Sequence, residues 1–491
     1  MPTSLPYHCD GLGILAILDP HNSDFDSAVL QQNKGALPAM IRRFSLVLIL
    51  SLSFSSQPAS AQLLSGVLGG STSTSTSTSA TAGGVVVRTT LGLSGLQLVC
   101  LLQGCTVQGN LDGNVNQVFL VKPNSGLLPD ILAATLRLVT GILDAEVDQI
   151  LAIPTALGNQ AVLTALPPGL WNTTPVNYYT APVWEGYVNQ PASQIIRVSQ
   201  AQSAFHVSGA GIVADIDTGV DPKHPALQAV LLQGYDFTRN QPGGSEMTDL
   251  GGSTGSGCST CQAAFVNQHT AAMVDQHTAA MVAGTAYAAF GHGTMVMGVI
   301  HLVAPTAKLL PLKAFHADGT GNLSDIIHAI YYAVQNHANV VNMSFDMSAK
   351  STELTKALNY ATDHNVVGVA SAGNDGLQEI VYPAALQKNA VGVASTDDFD
   401  QRSTFSNYGN QVVWIAAPGE NIISTYPFGT YSVSSGTSFS APLVSGTASL
   451  LLALQPALNQ SSAAFAMSHA QWIGSNMGYG RLDVYRTLAG K

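Results

Sequence analysis

Apolar residues fall along this chain in two spacings. From residue 211 onward, short and nearly continuous apolar runs recur at 211–217, 308–315, 340–344, 366–372 and 390–395. Each has strand length, and runs apolar on both faces are what a sheet covered on both sides requires. Between them lie stretches with helical periodicity, at 324–337 and 352–364. Strand and helix alternate, which predicts an α/β, doubly wound and mostly parallel sheet with ligands at the strand C-terminal ends. Upstream the pattern differs. Residues 85–88 and 147–153 read as strands, 93–102 and 129–139 as amphipathic helices, and 109–121 as a hairpin turning at Asp112-Gly113. Strand, helix, hairpin, helix, strand is the order of a small ferredoxin-like α+β unit. Residues 165–195, rich in proline and aromatics such as Trp171, Tyr178, Tyr179 and Trp184, read as an extended connection.

One apolar stretch stands apart. Residues 443–454 form a helix whose alanines, leucines and valines would bury it, entered through the small-residue turn Gly436-Thr437-Ser438. A hydroxyl at Ser438 then sits where free N–H groups and the helix dipole favour negative charge. For a lone serine, the ordinary reading is a helix cap.

The N-terminal part reads as targeting sequence. Arg42 and Arg43 precede an apolar run at 44–54, and Ala59-Ser60-Ala61 follows as a small-x-small cleavage site. Residues 40–61 therefore read as a signal peptide, which makes 1–39 an over-long start. The alternative is a cytoplasmic extension before a retained signal anchor. Residues 62–84, with an alternating Ser/Thr tract at 71–79, read as a linker. Export implies a secreted, extracellular or periplasmic protein, without a membrane partner once the signal is removed. The 491 residues carry only 10% charged side chains and a net charge of −11. Such a surface disfavours nucleic acid as a partner.

Four cysteines beyond the leader suit an oxidising compartment. Cys100 and Cys105 cannot bridge within one helix, because five residues turn about 140°; Gly104 is a helix stop that would free Cys105 to fold back. Cys258 and Cys261 form a C-x-x-C in a Gly/Ser-rich loop, read as a local disulfide with redox and zinc sites as alternatives. That loop belongs to an insertion at 245–290, which also carries a tandem repeat around His269 and His277. On one helix these two would stand about 12 Å apart, too far to share an ion.

Three further short stretches carry chemistry only in combination. Asp217 ends an apolar strand before Thr218-Gly219, His292 lies between Gly291 and Gly293 at the start of an apolar helix, and Asn374 follows Ser371-Ala372-Gly373. Each alone reads as a turn or a cap. In the order Asp, His, Asn, Ser they supply an imidazole orienter, a general base, an oxyanion donor and a nucleophile.

With these residues and with Val341-Asn342-Met343-Ser344, the stretch 195–491 resembles the subtilisin-like serine proteases of the S8 peptidase family. The resemblance implies a catalytic triad of Asp217, His292 and Ser438, with Asn374 as oxyanion donor. It implies a serine endopeptidase acting on polypeptides through an acyl-enzyme, as a monomer. Residues 85–155 then resemble the family's propeptide, which assists folding and inhibits until cleaved within 156–194. Because a bond between the two cysteine pairs would tether a released propeptide, the resemblance adds a reason to pair Cys100 with Cys105 and Cys258 with Cys261. It assigns an extended substrate to the edges at Gly319 and Gly321 and at Ser344 and Phe345, with Gly373 near the pocket for the residue before the scissile bond. Tyr382-Pro383 resembles a turn that often holds a cis proline.

The chain also departs from the family. Met295 stands where a second histidine is usual, a packing position. Asp346-Met347 replaces two glycines, giving a narrower or more acidic groove. Asp215 replaces an aliphatic residue two positions before Asp217 and needs a buried partner. The loop of the family's strong calcium site is missing, so neither calcium nor any other metal or cofactor is carried over. The rival reading is a catalytically silent exported binding module on the same scaffold.

Overall fold

The computed structural model describes residues 81–153, 168–179, 181–250 and 287–491. The signal segment, most of the linker, part of the connection, the tandem repeat, Cys258 and Cys261 lie outside them.

The N-terminal layer runs β1 (Thr81–Thr89), α1 (Gly92–Gln103), β2 (Cys105–Asn110), β3 (Val118–Pro123), α2 (Pro129–Leu136) and β4 (Ile142–Ala152). Its strands are antiparallel, in the order β4-β1-β3-β2. The first strand starts at Thr81, inside the segment expected to be linker, because Thr81 pairs with Gln149 across a register shift. Val85, Val87, Leu96, Phe119, Leu132 and Leu136 fill a core between sheet and helices. Gly104, in the left-handed region at φ 75°, stops α1, and Cys105 turns back to form a disulfide with Cys100. Glycine adopts that backbone without steric cost.

The connection is more ordered than an extended strap. It forms a hairpin of β5 (Pro175–Tyr178) and β6 (Ala181–Trp184), then α3 (Glu185–Val188), α4 (Pro191–Ile195) and α5 (Val198–Phe205). Aromatic packing explains it: Trp184 stacks on Tyr431, and buried Tyr187 donates to Gly298 O at 2.6 Å.

The body is built on one sheet. In chain order its elements are β7 (Ile212–Asp217), β8 (Tyr235–Asp236), β9 (Gln241–Pro242), α6 (His292–Val303), β10 (Lys308–Lys313), β11 (Thr320–Asn322), α7 (Leu323–Gln335), β12 (Val340–Met343), α8 (Thr352–Asp363), β13 (Val367–Ser371), β14 (Val391–Thr396) and β15 (Ile415–Pro418). A hairpin of β16 (Ile422–Tyr426) and β17 (Thr430–Ser434) follows, then α9 (Thr437–Leu454), α10 (Gln460–Met467) and α11 (Val484–Ala489). The eight-stranded order is β15-β14-β13-β12-β7-β10-β8-β9, parallel throughout except for the final pair. Alternate residues feed two cores: Val213, Leu309 and Val340 face α6 and α9, while Ala214, Leu310 and Val341 face α7 and α8. This two-sided burial is the physical cause of the continuous apolar runs.

Helix α9 is long and apolar enough to cross a membrane, yet 89% of its most apolar window is buried within protein. It is a core helix. It begins at Thr437, earlier than the apolar pattern suggests, with Gly436 as N-cap, so Ser438 lies in the first turn.

Candidate active site

Asp217 ends β7 and His292 opens α6, so sheet and helix fix both backbones. His292 Nδ1 lies 2.8 and 2.9 Å from the two carboxylate oxygens of Asp217. A carboxylate only accepts, so Nδ1 carries the proton and Nε2 presents a lone pair. Both residues are buried. Gly293 is obligatory in this contact, since a Cβ there would meet Gly219 O at 2.0 Å.

A second acid, which sequence reading passed over, holds the histidine loop. Buried Glu246 accepts from Gly291 N at 2.7 Å and from Thr218 Oγ1 at 3.2 Å, and pairs with the Thr294 hydroxyl. Thr218 Oγ1 in turn accepts from Gly293 N at 3.0 Å. Glu246 thus braces the residues on both sides of His292. Burial raises its pKa to about 8, and the nearby charge of Asp217 adds to the rise. Glu246 opens a 3-10 turn, Glu246–Leu250, too short for periodicity, so no pattern marks it. Its only signal is an acid in a low-charge chain.

Ser438 is buried at the start of α9, and its Oγ donates to Ser344 O at 3.2 Å. Among the described residues no hydrogen bond joins it to His292. The helix around it is stabilised from outside. Pro442 lacks the N–H that would bond Ser438 O, and Ser344 Oγ donates to that carbonyl instead, at 2.9 Å. Asn374, just beyond β13, accepts at Oδ1 from Thr437 N and Thr437 Oγ1, both at 2.9 Å. Because a backbone N–H must donate, these bonds fix the amide with Nδ2 as a donor that has no partner among the described residues.

Asp215 has a partner after all. Asn342 Nδ2 donates to its Oδ1 at 2.9 Å and to Ser344 Oγ at 2.9 Å, while Ser445 Oγ donates to Asn342 Oδ1 at 2.8 Å. Desolvation, with Asp217 close by, drives the Asp215 pKa well above the usual carboxylate range. The neutral acid spares the site two adjacent anions. Met295 is buried in the core, as a packing residue should be.

The groove edges expected for substrate are already in use. β11 pairs antiparallel with β4, matching Gly321 with Leu151, and Ile153 N donates to Gly319 O at 2.9 Å. The tail of the N-terminal layer therefore lies as an added strand on that edge. Two of its carboxylates cap helices of the body. Asp148 accepts from Ser324 N and Oγ at the start of α7, and Glu146 from Ser351 Oγ, Thr352 N and Glu353 N at the start of α8. On the opposite edge, Ser344 faces Ser438 and Phe345 packs on Phe315 beneath the floor. A Cβ on Gly373 would meet Asn407 Nδ2 at 2.4 Å and Asp346 Oδ2 at 3.3 Å. The Tyr382-Pro383 peptide is cis.

The subtilase family model matches residues 209–480, which include Asp217, His292, Asn374 and Ser438. A thermophilic serine proteinase of Bacillus sp. (strain AK1) is 30% identical over 353 residues, 70% of this chain and 77% of that protein. Thermitase of Thermoactinomyces vulgaris is 33% identical over 301 residues, 61% of this chain and 95% of that protein. With the parallel sheet and the helix-borne serine behind it, the chain belongs to the subtilase family and is a subtilisin-like serine peptidase.

Proposed function

We propose that this protein is an exported endopeptidase that hydrolyses peptide bonds through an acyl-enzyme on Ser438. The observation that carries the reading is the pairing of His292 Nδ1 with both oxygens of Asp217. It leaves Nε2 as the base, and the negative charge beside the ring stabilises the imidazolium that forms. To react, Ser438 Oγ leaves Ser344 O and gives its proton to Nε2. Catalytic hydrogen bonds often tighten only with substrate present. As the carbonyl becomes tetrahedral, Asn374 Nδ2 and the Ser438 backbone N–H receive its oxyanion. His292 then protonates the leaving amine, and water repeats the sequence to release the acid.

In this reading residues 81–153 are an inhibitory propeptide. Its tail fills the groove on the β11 edge, so activity waits for cleavage after the docked strand and for release of the layer. Export fits the signal pattern at 40–61 and the secretory habit of cysteine pairing. A fluorophosphonate probe tests the mechanism. It should label Ser438 in the self-processed protein and fail on Ser438→Ala; an unlabelled Ser438 in processed protein refutes the acyl-enzyme reading.

A further inference from the structure

Strand β10 carries a lysine at each end, and the two have opposite surroundings. Lys308 is exposed, whereas Lys313 is fully buried, alone in this among the lysines and arginines of the described residues. A buried ammonium is costly unless each of its protons finds an acceptor. Here all three do. Lys313 Nζ donates to Phe315 O at 2.6 Å, to Asp249 Oδ2 at 2.7 Å and to Thr218 O at 2.9 Å. The steps of acyl transfer leave this charge unused.

Its three acceptors belong to three segments that meet at the Asp217–His292 pair. Register sets Lys313 beside Asp217, at the C-terminal ends of parallel β10 and β7. Thr218 N donates to Asp217 Oδ1 at 2.6 Å, the oxygen that lies 2.8 Å from His292 Nδ1. The Thr218 hydroxyl accepts from Gly293 N, just past the histidine. Lys313 thus grips, by its carbonyl, a residue that touches both Asp217 and the histidine loop. Phe315 leads toward the β11 edge, and Ala314 N and Phe315 N both donate to Asp217 O, at 3.0 and 3.2 Å. Asp249 lies in the same turn as Glu246, which braces His292. Charge adds a second argument. Asp215, Asp217 and Glu246 are all buried. Desolvation, with Asp217 close by, drives Asp215 well above the usual carboxylate range and Glu246 to about 8; the charge of Lys313 opposes the rise at Glu246. Arg239, the other cation of the group, is held by Asp236 and Asp249. The cation that reaches the Asp217 turn is Lys313.

We propose that Lys313 is a positioning residue for the reaction: through Thr218 its ammonium holds the Asp217 carboxylate on His292, and its buried charge keeps the imidazole free to take the serine proton. The inference rests on the acyl-enzyme reading of Ser438 and adds one residue to it. A cation at this place disfavours the imidazolium, so its removal lets His292 stay protonated to higher pH. It also frees the Thr218 carbonyl, and a small displacement of the Asp217 turn misaligns the base.

Lys313→Met keeps the length of the side chain and removes its charge and donors. The test uses the full chain after self-processing, with active sites titrated by the fluorophosphonate. Lys313→Met should lower kcat by about tenfold to a hundredfold, with KM changed less. It should also move the acid limb of kcat/KM to higher pH by roughly half a unit. Adding Asp249→Asn restores the balance of charge without restoring the grip on Thr218, so the limb should return while kcat stays low. The double variant leaves no half of the buried ion pair behind, and so also serves where the single one folds poorly. A single variant that folds but does not mature is read in a Ser438→Ala background, as unprocessed chain. There the low-field proton signal of His292 Nδ1–H should titrate at higher pH with Lys313→Met than without it. Unchanged kcat in either variant, or a limb and a proton signal that do not move in the single one, overturns the inference. Fluorophosphonate labelling of the unsubstituted chain would still leave the mechanism standing. Failure of that chain to label overturns both.

Discussion

Replacing Glu246 by glutamine should stabilise the protein in a way that grows with pH. Burial holds this carboxyl protonated up to about 8, from an ordinary value of 4.5. An unfolded chain loses the proton near 4.5. Across that window the folded state binds a proton that the unfolded state has released, so stability falls as pH rises. At about 1.4 kcal/mol per unit, the window to about 8 caps the loss at roughly 5 kcal/mol. Glutamine keeps the geometry: its oxygen can accept from Gly291 N, and its amide can donate to Thr294 Oγ1 as a protonated carboxyl would. It has no proton to lose. Urea unfolding with and without Glu246→Gln, both in a Ser438→Ala background to stop autolysis, measures the difference. It should be near zero around pH 4.5 and reach several kcal/mol around pH 9. A constant difference, or one that grows toward acid, refutes the buried neutral Glu246.

Other outcomes follow from the same geometry. Ser438→Ala should abolish hydrolysis and self-processing while leaving the thermal unfolding midpoint nearly unchanged, since the side chain makes one 3.2 Å hydrogen bond; unaided maturation of that variant would contradict the mechanism. Asn374→Leu should lower kcat by about 10²–10³ with little effect on KM, as measured by steady-state kinetics. The double change Glu146→Gln, Asp148→Asn weakens the capping of α7 and α8 by the N-terminal layer. After processing, pull-down of the body should retain that layer with roughly tenfold lower affinity.

Much of the body was legible because two-sided burial writes itself into sequence. The runs at 211–217 and 340–344 put apolar residues on adjacent positions, as in Ile212-Val213-Ala214 and Val340-Val341, and so on both faces, which a covered parallel strand demands. Gly104 showed where α1 ends for the same local reason that let Cys105 reach Cys100. What stayed hidden was structure made by distant partners. β11 is three residues long and exists as a strand because β4 pairs with it. The first turn of α9 carries Thr437, Ser438 and Ser440, with Pro442 just beyond it, poor helix formers whose polar groups are satisfied by Ser344, Ala417 and Asn374. The hairpin of β5 and β6 depends on Tyr431, more than 240 residues downstream of Trp184. Glu246 had no period and no motif to announce it. For Asp215 the pattern showed the anomaly, and only the fold could supply Asn342.

The bond between Cys100 and Cys105 has a consequence for how activity would be switched on. It closes within one helix–strand turn and leaves no cysteine in residues 81–153 to bond the body. Once the connection is cut, strand pairing, helix caps, the Arg88–Glu353 ion pair and side-chain packing hold the two pieces without a covalent bond, and they obey mass action. For the exported, propeptide-inhibited enzyme proposed above, dilution on leaving the cell would then be the trigger: fragments that rebind in a crowded compartment would drift apart outside. On that proposal each freed enzyme would digest the released fragments of its neighbours, so onset should be sigmoidal in time, with a lag that depends on concentration.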